Sequence, residues 1–194
     1  MCPVLDILKY EHDQSQGEAI FEPGKFASSI EHFRHCLQDL VLYRPEKYYK
    51  TTACRRKEVT TISFSEFKKL TSLSITVNLL LGAPKSPKAS TIYQISHQWI
   101  PPPPEQNLTQ CLPKSLEYLC LKECSEWIEE DVSELVEQVS TLSPNLKTLV
   151  LTFEKIKRSS IFGNPRGLKI NWSAAEKWEE QCTAKGIEFD VLYN

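Results

Sequence analysis

Cysteine and histidine are the residues best able to do covalent or metal chemistry, and this chain clusters them twice. Cys120 and Cys124 stand four apart with Cys111 shortly upstream, and His32, His35 and Cys36 fall close together. Thiolate and imidazole are the ligands zinc prefers, but a structural site needs four of them at paired spacings. No second C-x-x-C or H-x-x-x-H pair follows Cys124, and the two histidines are separated by three. Helical metal-binding histidines stand at i and i+4 instead. Seven cysteines is an odd count, which does not close a disulfide framework. Buried thiols acting as small hydrophobes account for them. A cysteine nucleophile with a histidine base stays open as an alternative, because such partners meet only in the fold. The leading expectation is no catalytic residue, no metal and no cofactor; the alternative is a small intracellular enzyme with a Cys/His centre.

Phosphate chemistry finds no support. With six glycines there is no Gly-rich loop, and neither a P-loop nor a nucleophile elbow occurs. Arg55-Arg56-Lys57 and Lys155-x-Lys157-Arg158 are small basic clusters suited to solvated loops. A net charge of -2 and a pI near 6.1 argue against a general nucleic-acid binder. No apolar run approaches the ~18 residues of a membrane span. The start, Met1-Cys2-Pro3-Val4-Leu5-Asp6, lacks the basic and apolar regions of a secretory signal. The chain is therefore expected inside the cell, in cytoplasm or nucleus.

A leucine pattern organises the rest. L-x-x-L-x-L or a close variant begins at Leu5, Leu37, Leu70, Leu116 and Leu146, with a weaker copy at Ile187-x-Phe189. Such recurrence is the mark of a stacked repeat of one strand plus one helix. Strands are expected at 3–11, 38–42, 71–77, 115–122, 147–152 and 187–192. Phe26, Ile30, Phe33 and Leu37 share a helical face, which predicts a helix over 25–36. Ile128, Val132, Leu135, Val136, Val139 and Leu142 form a second stripe, with Ser125 as its cap and Pro144 as its stop. Ser173 and Glu176 read as a capping box, and Gly186 as the left-handed residue ending that last helix. Six prolines between residues 84 and 104 mark 83–113 as a surface insertion. The expected fold is α/β: one domain over 1–194, a short irregular leucine-rich-repeat-like solenoid, its parallel sheet flanked by helices on one side.

In a strand successive side chains alternate between faces. The later leucines of each motif therefore face the helices, and the residues between them face outward. Asp39, Val41, Tyr43, Ser72, Ser74, Thr76, Tyr118, Cys120, Lys122, Thr148, Val150 and Glu188 are the expected partner-binding residues on that concave face. Their mix of small polar groups, tyrosines and a few charges suits an unidentified protein partner. The first strand has no capping element ahead of it, so the chain is expected to be the C-terminal part of a longer array, or to self-associate through that edge.

Several phrases resemble a known family. Cys2-Pro3-x-Leu5-x-x-Leu8-x-Tyr10, Leu70-Thr71-Ser72-Leu73-Ser74-Ile75, Leu79-Leu80-Leu81-Gly82, Leu112-Pro113-x-Ser115-Leu116-Glu117-x-Leu119-x-Leu121 and Ser143-Pro144-Asn145-Leu146-Lys147 are similar to the C-terminal leucine-rich repeats of fungal F-box-type proteins. The closing Trp178–Ile187 stretch is similar too. The resemblance implies a substrate-recognition module of a cullin-based ubiquitin ligase. The repeats start at once with no F-box segment before them, so direct recruitment of a ligase does not carry over. A non-functional truncated remnant is the further alternative.

Overall fold

Each leucine motif becomes a strand, and every strand runs the same way. The computed structural model describes residues 5–11, 22–43, 61–81, 107–124, 128–153 and 172–193. Six strands, β1 (Ile7–Glu11), β2 (Asp39–Tyr43), β3 (Ser72–Thr76), β4 (Tyr118–Cys124), β5 (Thr148–Phe153) and β6 (Glu188–Tyr193), pair in chain order, all parallel. Parallel neighbours require a crossover between them. The described helices lie in those crossovers: α1 (Pro23–Glu31), α2 (Val77–Leu81), α3 (Leu108–Cys111), α4 (Glu129–Leu142) and α5 (Trp172–Ala184).

The register follows from a repeated feature at the strand starts. Gln38 and Asp39 both donate their amides to the Asp6 carbonyl, and Thr71 and Ser72 do the same to Gln38. Glu117 and Tyr118 donate to Thr71, and Lys147 and Thr148 to Glu117. Each strand is thus pinned to its predecessor at the same point of the motif. The leucines then fall into two rows across the sheet. One reads Leu8, Leu40, Leu73, Leu119, Leu149, Phe189; the other Tyr10, Leu42, Ile75, Leu121, Leu151, Val191. The eight residues on the four inner strands are fully buried, and those on the two edge strands are half-buried.

These rows and the buried faces of the helices make one core. Ile30 comes from α1, Leu79 and Leu80 from α2, Leu108 and Cys111 from α3, Val132, Leu135, Val136 and Val139 from α4, and Trp178 and Cys182 from α5. Three acidic residues, Glu129, Glu130 and Asp131, fill the first turn of α4, where the helix dipole favours negative charge. The Trp178 indole donates to Ser133 Oγ at 2.9 Å, tying α5 to α4. Gly186 has φ +72°, and Ile187 donates back to the Cys182 carbonyl at 2.9 Å. That six-to-one bond closes the helix as a left-handed residue allows.

Several boundaries differ from the sequence reading. The α1 helix ends at Glu31, and His32–Cys36 form turns, so the two histidines are not on a helix. The α5 helix starts at Trp172, which puts Ser173 inside its first turn rather than at its cap. Ser125 lies outside the described residues, and Leu142 is only half-buried. Of the expected surface insertion 83–113, the described part is core. Leu108 and Cys111 are fully buried and Leu112 nearly so. The proline signal masked the apolar pair on α3, which packs beneath α4; the rest of that insertion lies outside the described residues.

Leu119 sits at the centre of the first leucine row. Replacing it with alanine removes about 2–5 kcal/mol of stability, read as a lower urea midpoint at unchanged slope.

Candidate functional site

The outward residues form rows as regular as the leucines. Ile7, Asp39, Ser72, Tyr118, Thr148 and Glu188 line up across all six strands. Lys9, Val41, Ser74, Cys120, Val150 and Asp190 make the next row. Towards the strand ends stand Glu11 beside Tyr43, Thr76 beside Lys122, and Thr152 beside Leu192. All twelve residues assigned to partner binding from the sequence therefore share one face. The apolar side chains buried by the described helices all join the cluster on the other side.

Accessibility divides the twelve. Tyr118 is 37% exposed and Glu188 is exposed, while Asp39, Val41, Tyr43, Ser72, Lys122 and Thr148 are half-buried. Ser74, Thr76, Cys120 and Val150 are buried. Strands stand about 4.8 Å apart, and short side chains in the middle of a sheet are shaded by taller neighbours. Ile7 and Leu192 add exposed apolar surface at the two edge strands.

Polar contacts stiffen the face. Ser72 Oγ donates to Asp39 Oδ1 at 2.9 Å, orienting that carboxylate along the row. Tyr43 donates its hydroxyl to Glu123 Oε1 at 3.3 Å, and the Lys122 ammonium lies 5.1 Å from the centre of the Tyr43 ring. A cation over an aromatic face is attracted by the ring quadrupole. Glu123 was missed in the sequence. It sits in a bulge of β4 with φ +57°, a conformation uncommon outside glycine and asparagine. Nothing in Lys122-Glu123-Cys124 signals this, since glutamate is not a left-handed former; the bulge arises where β4 leaves register with β5.

The described cysteines and histidines are spread over the turns after α1, the sheet and the core. His32 and His35 are exposed, and Arg34 Nε donates to His35 Nε2 at 3.1 Å. Cys120 lies on the outward face against Thr152 Oγ1 at 3.8 Å. Cys124 donates to the Leu121 carbonyl at 3.2 Å, and Cys111 to that of Leu108 at 3.4 Å, both within the core. Among the described residues no group of three or more His, Cys, Asp or Glu is placed to hold a metal. Cys36, Cys111, Cys120, Cys124 and Cys182 are free thiols. Burial pushes Cys111 and Cys124 up to about 12 and Cys182 to about 11, from an ordinary value near 9. Thiols so shifted are not nucleophiles at neutral pH.

The same shifts set a pH dependence. The folded values lie above the unfolded one, so the folded chain keeps protons that the unfolded chain loses. Their stabilising contribution is complete below about pH 9 and declines as pH rises toward 12. Each thiol removes up to about 1.4 kcal/mol per pH unit within that window. Urea unfolding at pH 8 and pH 10 should show a lower midpoint at the higher pH, and Cys111→Ala should reduce that difference.

No protein-family model, curated protein or solved structure matches this chain.

Proposed function

We propose that this chain is a protein-interaction scaffold of leucine-rich-repeat type, with the outward face of its sheet as the recognition surface. The observation that carries this is the uninterrupted row from Ile7 through Asp39, Ser72, Tyr118 and Thr148 to Glu188, which spans all six strands. Repeat proteins present such surfaces because stacking similar units extends one face. The chain-order, all-parallel pairing is what a repeat solenoid requires, and the leucine motif recurs in step with the strands. Free thiols support a reducing, intracellular setting. Following the family its phrases resemble, the partner is a protein destined for ubiquitylation, and the chain is its recognition module, itself without catalytic activity.

No helix among the described residues is long and apolar enough to cross a membrane. The resemblance and the face together favour a protein ligand over nucleic acid or lipid. An aromatic residue among hydroxyls and carboxylates is the composition of a polar, partly wet interface.

Quantitative capture of cellular partners tests the binding reading. Asp39→Arg, Lys122→Glu and Glu188→Arg together should lower recovery of the partner by at least about tenfold, the loss expected when contacts at an interface centre are removed. Lys177→Glu with Glu180→Lys, on the exposed side of α5, should leave recovery unchanged. Equal recovery from both variants would end the reading. The ligase role is checked separately by the lifetime of captured proteins in cells depleted of the chain, which should lengthen.

A further inference from the structure

Tyr118, 37% exposed, stands in the middle of its row. Its immediate neighbours are the short hydroxyl residues Ser72 on β3 and Thr148 on β5. One strand further out on each side is a carboxylate, Asp39 on β2 and Glu188 on β6. The spacing between strands is about 4.8 Å, so each carboxylate lies roughly 10 Å from the Tyr118 backbone across a shallow trough. A third carboxylate, Asp190, occupies the next row on β6.

The charges in this region are one-sided. In the two rows the described carboxylates are Asp39, Glu188 and Asp190, and the described ammonium is Lys9 at the far edge on β1. The ion pairs among the described residues are Lys25–Glu22, Arg34–Glu31 and Lys147–Glu117, and none reaches those three carboxylates. Asp39 is held by Ser72 along the row, and Asp190 accepts the Val191 amide at 2.8 Å. Each carboxylate keeps acceptor capacity beyond that one bond. The Tyr118 phenol is pushed up, first by burial of its hydroxyl, then by Cys120, and also by the charges of Asp190 and Asp39. The hydroxyl lies beside Cys120 on its own strand and stays neutral.

Resting on the scaffold reading above, we infer that the Tyr118 ring with Asp39 and Glu188 on either side is a seat for arginine or lysine side chains of an extended basic segment of the partner protein. A guanidinium lying in either trough stacks on the Tyr118 ring and pairs with the carboxylate on the opposite wall. Stacking of this kind contributes about 0.5–1 kcal/mol at exposed sites and more when desolvated. The hydroxyls of Ser72 and Thr148 are short enough to leave the space open and polar enough to accept the remaining guanidinium hydrogens. Arginine suits the site better than lysine, since its planar fork both stacks and binds a carboxylate through two hydrogens. An acidic segment would meet three carboxylates across the same surface and be repelled.

The test uses fluorescent peptides of defined composition and the full chain, read by polarisation. The probes are an Arg/Gly/Ser peptide, its Lys counterpart and its Glu counterpart. The Arg peptide should bind best, the Glu peptide should not bind, and raising the salt should weaken the Arg complex. Tyr118→Ala and the pair Asp39→Asn, Glu188→Gln should each weaken the Arg peptide by about tenfold or more, with unchanged thermal unfolding. Glu137→Gln, on the exposed side of α4, should have no effect. Absence of Arg-peptide binding, equal binding of the Glu peptide, or binding indifferent to Tyr118 and the two carboxylates would overturn the inference. The outcomes separate from those of the scaffold reading. Partner capture that needs this face but persists with Asp39→Asn and Glu188→Gln would sink the basic-segment seat alone. Capture indifferent to the whole face would sink both.

Discussion

The structure depends on two rows of apolar side chains meeting the buried faces of the described helices. A strand has a side-chain period of two, so a slip of one residue would turn every leucine outward. Here the slip is prevented at the starts of β2, β3, β4 and β5, where paired amides grip one carbonyl just ahead of the preceding strand. The leucine just before each strand, Leu37, Leu70, Leu116 and Leu146, is buried as well. It anchors the turn that delivers the chain into register. Each fully buried leucine contributes about 1.5–3 kcal/mol, so the rows dominate the favourable side of folding and the helices serve mainly to cover them.

The outward face is a consequence of the same constraint. Once the leucines are fixed inward, Asp39, Ser72, Tyr118, Thr148 and Glu188 have no choice but to line up on the other side. The core thus writes the geometry of the outward face without touching it. Ser74, Cys120 and Val150 fill the centre of that surface and sink below its taller members. Tyr118 is the large side chain among these short residues. Tyr43, Lys122 and Glu123 brace the strand ends through one hydrogen bond and one cation–ring contact. The face is therefore shaped by side-chain height as much as by charge.

The cysteines illustrate how one residue type divides by environment. Cys111, Cys124 and Cys182 are core hydrophobes whose burial disfavours the thiolate. Cys120 shares the outward face with Thr152. Spacing along the chain placed Cys111, Cys120 and Cys124 together, but the bulge at Glu123 breaks the alternation of β4 and sends Cys120 and Cys124 to opposite sides.

The sequence by itself determined the strands, their common direction of burial and the identity of both faces. A period-two leucine motif is a local signal that survives any tertiary context. The final helix stop was legible for a similar reason, since Gly186 takes a left-handed conformation that glycine adopts at no steric cost. Tertiary structure alone decided which outward residues reach solvent, because height and shading depend on neighbours from other strands. It alone brought Leu108 and Cys111 into the core from a proline-marked stretch, since burial depends on what packs above. It also set Glu123 in its bulge, a conformation imposed by the loss of register between β4 and β5 rather than by glutamate's own preference.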